Sequence, residues 1–265
     1  MSDAHDEPHD EPREVAARYA RRRAAGLADR YSPLRPEVWQ TLQERQRALL
    51  GLFARHGCTR LDTLRLVEVG CGGGGNLLEL LQWGFEPQHL VGIELLPDRH
   101  AQARARLPQA TELWLGDAAE APIAAGSQDL ALQSTVFSSL LDDAFQQRLA
   151  DAMWRWLKPG GAVLWYDFAV NNPRNPDVRG VPLARVHKLF PQGRIDARRL
   201  TLAPPLARAV CALHPSLYTA LNLLPLLRTH RLAWIGKPVF EAFAARAGAQ
   251  ATDAQVRSLR DAEGI

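Results

Sequence analysis

Four consecutive glycines, Gly72 to Gly75, stand where a short apolar segment meets a helical one. The stretch reads Val67-Glu68-Val69-Gly70-Cys71-Gly72-Gly73-Gly74-Gly75-Asn76, a strand entering a turn that opens a helix. Glycines in such a turn admit positive φ and let a ligand lie against bare backbone. Gly70, Gly72 and Gly75 also satisfy a G-x-G-x-x-G spacing. That spacing alone fits several nucleotide-type ligands, or a tight turn with none.

The segments around the loop keep a regular rhythm. Pro36 to His56 reads as a helix ended by Gly57, and Arg18 to Arg23 belongs to an earlier, more polar one. Strands are expected over Leu64–Val69, His89–Glu94, Glu112–Leu115, Asp129–Gln133 and Ala162–Phe168. Helices are expected between them over Asn76–Trp83, Pro97–Arg106 and Ala144–Leu157. Such alternation is the signature of an α/β fold, a doubly wound, mostly parallel sheet. Beyond Asn171 the expected elements are a short helix over Pro182–Phe190 and strands over Arg198–Leu202 and His230–Ile235. Between those strands lies Ala203–Thr229, apolar and broken by Pro204, Pro205, Pro215 and Pro225. It reads as two short helices that form a core extension, a lid, or a membrane-surface contact.

Charge is unevenly distributed. Residues 1–14 carry a net −5, so the remaining chain carries +8. The acidic start lacks the basic and apolar parts of a signal peptide and reads as a disordered tail over 1–15. Three cysteines, Cys58, Cys71 and Cys211, are too scattered for a disulfide framework. No apolar run is long enough to span a membrane, and a cytoplasmic chain is expected. The arginines are spread along the chain without interleaved aromatics, so no nucleic-acid partner is expected. The resulting division is a helical segment over 16–62, a catalytic domain over 63–237 containing the 203–229 insertion, and a helical or disordered tail over 238–265.

Acidic residues at the strand ends limit what the glycine loop can hold. Glu94 closes the second strand, 24 residues after Gly70, where a carboxylate can accept ribose hydroxyls. Asp117 follows the third strand, Asp129 begins the fourth, and Leu157-Lys158-Pro159-Gly160-Gly161 leads into the fifth. With Glu68 two residues before the Gly70-x-Gly72-x-Gly74 turn, and the run from Gly116-Asp117-Ala118 through Asp129-Leu130-Ala131, the chain resembles the class I S-adenosylmethionine-dependent methyltransferases, small-molecule type. The resemblance covers roughly residues 64–168, plus a last strand near 230–236.

That resemblance implies a Rossmann-like, seven-stranded sheet with the last strand antiparallel, and S-adenosylmethionine as cofactor. It places Gly70, Cys71, Gly72 and Gly74 along the methionine and ribose side. Glu94 would take the ribose hydroxyls, Leu95 and Ala118 would flank the adenine, and Asp117 would bind its amine. Backbone near Gln133 would face the methionyl part, and Glu68 would either orient the loop through its amides or touch the cofactor. No metal is expected. The partner expected is a small-molecule acceptor, with a homodimer as the assembly to test.

The acceptor side is thinner. After the fourth strand the chain reads Val136-Phe137-Ser138-Ser139-Leu140-Leu141-Asp142, without the histidines many relatives carry there. Methyl transfer from a sulfonium is an in-line displacement that depends on positioning, and a hydroxyl acceptor gains from a nearby base. Asp167 and Tyr166 are the candidates for that base. They are adjacent on one strand, so they face opposite sides. Ser138, Asn171 and Tyr31 are the candidates for substrate contacts, and Tyr19 or Tyr31 would close the site as a lid. Oxygen is the expected acceptor atom, in a natural-product, lipid-linked or glycan-related metabolite. The alternatives are RNA or another macromolecule as acceptor, a nicotinamide-dependent oxidoreductase, and a non-catalytic cofactor-binding subunit.

Overall fold

A computed structural model describes residues 10–24, 32–172 and 175–239. Two helices, α1 (Glu11–Ala24) and α2 (Pro36–Arg55), precede β1 (Leu66–Val69). Then follow α3 (Gly75–Gln82), β2 (Leu90–Glu94), α4 (Pro97–Arg106), β3 (Glu112–Leu115), β4 (Gln128–Ser134), α5 (Asp143–Trp156) and β5 (Leu157–Phe168). The last part comprises α6 (Leu183–Leu189), β6 (Arg194–Leu202), α7 (Pro204–Leu213), α8 (Ser216–Leu221) and β7 (Arg228–Gly236).

The strands form one seven-stranded sheet in the order β3-β2-β1-β4-β5-β7-β6. All four residues of β1 are buried, as a parallel strand covered on both faces requires. It pairs in parallel with β2, Val69 opposite Ile93, and with β4, Val69 opposite Gln133. Strand order reverses between these neighbours, and ligands of such sheets bind outside the carboxyl ends at that point. β7 runs antiparallel to β5 and β6, as the resemblance implied.

Two apolar layers hold the sheet. One joins Val69, Ile93 and Trp165 to α5 through Phe145, Leu149 and Trp156, and reaches α1 at Val15. The other joins Leu66, Leu90 and Leu164 to α2 through Leu49, Leu52 and Phe53, and to α3 through Leu77. At its first turn α5 is capped by Asp142, which accepts the Ala144 and Phe145 amides at 2.6 and 2.9 Å.

The structure corrects the sequence reading in two places. α1 begins at Glu11, inside the stretch expected to be disordered, because Glu11 and Val15 both find buried positions. Residues 1–9 and 240–265 lie outside the described residues, as do most of both expected tails. β6 starts four residues before the expected Arg198, its early half being a charged edge strand whose pattern resembles a loop.

The 203–229 insertion is a core extension on the α2 side. Its inward residues Ala207, Val210, Cys211 and Tyr218 form a small cluster with Leu202. Glu44 of α2 fastens it, accepting Tyr218 Oη at 2.8 Å and Asn222 Nδ2 at 2.7 Å. None of its residues lines the cavity at the strand ends, so the lid reading does not hold.

Candidate active site

A cavity of about 140 Å³ opens at the carboxyl ends of β1, β2 and β4, beneath α1. Its floor is the turn after β1. Gly70 adopts φ +65°, and a Cβ added there would lie 2.6 Å from Val136 Cγ2. No other residue fits that position without moving the wall formed by Val136. At the start of α3, Gly74 takes φ +78° and packs against Leu107 in the same way. The Cys71 amide donates to the Ile93 carbonyl at 3.0 Å, tying the turn to β2.

Glu94 ends β2 buried, and each of its carboxylate oxygens accepts one backbone amide, which leaves a lone pair on each for a ligand. Oε2 accepts the Gly72 amide at 2.8 Å and Oε1 the Leu96 amide at 2.9 Å. One charge therefore fixes the glycine turn and the turn after β2 together. Leu95, Asp117 and Ala118 continue the lining. Asp117 Oδ1 accepts the Ala119 amide at 2.9 Å, and burial pushes its carboxyl up from the usual range.

The far wall is Ser134, Thr135 and Val136. Thr135 has φ +58°, an uncommon conformation for a β-branched residue. It is held there by its amide, which donates to the Tyr166 carbonyl at 2.8 Å, and by its hydroxyl, which donates to the Ser134 carbonyl at 2.7 Å. Strain of this kind collects at ligand sites.

The roof is α1, which contributes Pro12, Val15 and Tyr19. Its attachment is electrostatic at the centre. Arg18 Nη2 lies 2.5 Å from Glu11 Oε1, both side chains buried, and also donates to the Ser139 carbonyl at 3.0 Å. Glu11 Oε1 in turn accepts the Leu141 amide at 2.7 Å. Beside this clamp, the Arg99 guanidinium lies 4.5 Å from the Tyr19 ring centroid. Removing one partner strands a buried charge, at a cost of about 3 kcal/mol. Arg18→Ala should therefore release α1. Limited proteolysis is expected to cut within residues 11–24 at least about tenfold faster, with the sheet's unfolding midpoint little changed. Unaltered cleavage would show that the clamp does not hold the roof.

The residues singled out from the sequence divide sharply. Gly70, Glu94, Leu95, Asp117 and Ala118 line the cavity. Cys71, Gly72 and Gly74 shape the turn without lining it, and Cys71 is packed inward, where burial pushes its thiol well up. Glu68 lies behind the turn, fully buried. Its Oε1 accepts Asn76 Nδ2 at 2.5 Å, so it holds the start of α3 through a side chain rather than through loop amides. Burial pushes this carboxyl up to about 8. Gln133, also buried, supports the wall by accepting the Val136 amide at 3.2 Å.

Both base candidates are misplaced for that role. Tyr166 points to the α2 side, its hydroxyl 2.7 Å from Thr201 Oγ1, and burial raises it to about 12. Asp167 faces the other side but is fully buried and does not line the cavity. Its carboxylate accepts the Ser138 amide at 3.1 Å and the Phe168 amide at 2.8 Å. Burial raises it to about 6 against those bonds. Asp167 therefore anchors the turn after β4. Ser138 is buried beneath the lining, and the neighbouring Ser139 is the one that reaches the cavity. Asn171 is exposed and accepts the Gly180 amide at 2.8 Å, away from the site. Tyr31 lies outside the described residues, whereas Tyr19 takes the closing position. Arg99, Thr135 and Phe145 also line the cavity, and no sequence motif marked them.

Residues 66–161 match the family described as methyltransferase domain. That span contains the glycine turn, Glu94, Asp117 and the wall after β4. It is a class I S-adenosylmethionine-dependent methyltransferase domain. The chain is 34% identical over 177 residues to trans-aconitate 2-methyltransferase of Afipia carboxidovorans, an alignment covering 66% of this chain and 61% of that protein. It is 31% identical over 120 residues to the tRNA N(3)-methylcytidine methyltransferase Mettl2 of Drosophila melanogaster, covering 41% and 35%. The methyltransferase fold also matches the Burkholderia thailandensis 1,6-didemethyltoxoflavin-N1-methyltransferase, solved with its substrate and S-adenosylhomocysteine. The TM-score is 0.58 at 17% identity, over 90% of this chain and 98% of that one. The chain thus spans less than two thirds of the length of either curated relative.

Proposed function

We propose that the chain transfers the methyl group of S-adenosylmethionine to an oxygen of a small-molecule acceptor. The observation that carries this reading is the pairing of Glu94 with the Gly70–Gly74 turn around one cavity. The cradle fits the cofactor: Gly70 leaves room that any Cβ would take, and Glu94 presents a buried carboxylate at the ribose position. Leu95 and Ala118 would flank the adenine, and Asp117 would accept from its amine. When bound, the cofactor supplies a methyl already electrophilic on its sulfonium.

The chain's own residues then orient and exclude water. Thr135 and Ser134 shape the wall facing the methyl, while Tyr19 and Val15 close the roof. The placed carboxylates spend oxygens on backbone amides, which suits an acceptor oxygen that is already anionic and needs no base. A carboxylate acceptor agrees with the name of the trans-aconitate relative.

A tRNA acceptor is the second reading, favoured by the similarity to Mettl2 and by the basic body of the chain. Turnover of small carboxylic acids against tRNA, each at low and high salt, separates the two. The proposal expects methyl esters, with rates little changed by salt. Methylated RNA as the sole product, with steeply salt-dependent binding, would replace it.

A further inference from the structure

Arg99 is the one cation among the described residues that line the cavity, against the carboxylates Glu94 and Asp117. It stands in the first turn of α4, two residues after Pro97. A helix N-terminus carries partial positive charge, so a cation there is disfavoured by its own helix. No neighbour offsets this. Among the described residues Arg99 enters no ion pair and no hydrogen bond, and its guanidinium lies over the Tyr19 ring at 4.5 Å. A charge placed against local preference, half-buried and facing a cavity, has the character of a ligand contact.

The guanidinium reaches the glycine turn at the point that Glu94 holds. A Cβ built on Gly72 would lie 3.9 Å from Arg99 Nη1, and the Gly72 amide donates to Glu94 Oε2 at 2.8 Å. Arg99 and Glu94 therefore flank the same part of the turn without pairing with each other. A hydroxyl that gives its proton to the Glu94 carboxylate still carries lone pairs of its own. Ionised carboxylates such as Glu94 and Asp117 only accept, whereas a guanidinium only donates. The lining side chains Ile93, Leu95 and Leu96 offer no donor. Arg99 supplies the missing half of the hydrogen bonding that a hydroxyl requires there.

We propose that Arg99 is a specificity-determining residue that donates to the ribose hydroxyl oxygens whose protons Glu94 accepts, with the Tyr19 ring packed on its guanidinium. The inference rests on the assignment of the cavity to S-adenosylmethionine. A hydroxyl held from its donor and its acceptor side at once sets ribose strongly apart from a deoxygenated sugar. Tyr19 belongs to α1, so the roof then closes on a side chain that the ligand itself holds in place.

Titration calorimetry on the full chain tests this with two ligands, S-adenosylhomocysteine and its 2′,3′-dideoxyribosyl analogue. The wild-type chain should prefer the first by about a hundredfold or more. Arg99→Met keeps an unbranched side chain and removes its donors. This variant should bind S-adenosylhomocysteine about tenfold more weakly and the dideoxy analogue as the wild type does, at an unchanged unfolding midpoint. Equal losses for both ligands would make Arg99 a support for the roof and overturn the proposal. So would unchanged affinity for both. A wild-type chain that binds neither ligand would remove the cofactor assignment itself, and the proposal with it.

Discussion

Replacing Glu94 with alanine is expected to weaken binding of S-adenosylhomocysteine about a hundredfold or more, measured by titration calorimetry. Two losses combine. The ribose hydroxyls lose an ionised acceptor, and hydrogen bonds to charged groups contribute about 1.5–3 kcal/mol each. In addition, the Gly72 and Leu96 amides lose the oxygens they meet at 2.8 and 2.9 Å. The glycine turn is then held to β2 chiefly by the Cys71 amide. A loss of about 3 kcal/mol corresponds to roughly two decades in Kd. Asp117→Ala should have a smaller effect, because Asp117 fixes only its own turn through Ala119. Undiminished affinity in a folded Glu94→Ala chain would remove this carboxylate from the cofactor site.

Glu68→Gln is expected to stabilise the fold at alkaline pH. Buried behind the turn, Glu68 stays protonated until pH rises to about 8, against an ordinary value of 4.5. The folded state therefore holds a proton that the unfolded chain has released across that interval. Its contribution is complete below the unfolded value and declines as pH rises through the folded one. Glutamine never ionises, and its Oε1 can keep the bond from Asn76. The two stability curves should nearly coincide at pH 4 and part between about 4.5 and 8. Above that they should run parallel, the variant ahead by about 5 kcal/mol. Asp167, raised to about 6, titrates in both chains and cancels from the difference. Denaturant unfolding at pH 5 and pH 8.5 measures it. A difference equal at both values would show that Glu68 is not buried as a neutral acid.

Much of the sheet was legible because each buried strand announces itself. β3 and α4 fall where the pattern puts them although β3 is a half-exposed edge strand, since Pro97 opens α4 and Leu113-Trp114-Leu115 is a compact apolar run. Expectation and structure part where tertiary contacts override composition. Glu11 looks like part of a solvated acidic tail, yet it is buried because Arg18 and the Leu141 amide wait for it. In β6 the edge position tolerates Arg194 and Asp196, so its strand signal is blurred.

One part of the cavity lining was legible for a related reason. Gly70, Glu94 and Asp117 are constrained by backbone geometry and strand ends, which sequence spacing reports directly. The acceptor half was not. Whether Tyr166 or Asp167 faces a cavity depends on which sheet face α1 covers and on whether a neighbour, Thr201 or the Ser138 amide, already claims the side chain. Neither fact is local in sequence. Thr135 carries no motif because its unusual φ is imposed by the Tyr166 carbonyl across the sheet.

Crystals of the full chain grown with S-adenosylhomocysteine provide the most direct trial. The compound should lie beneath α1, its ribose hydroxyls on Glu94 and its adenine between Leu95 and Ala118. A cavity filled by some other ligand, or the compound bound anywhere else on the chain, would contradict the assignment.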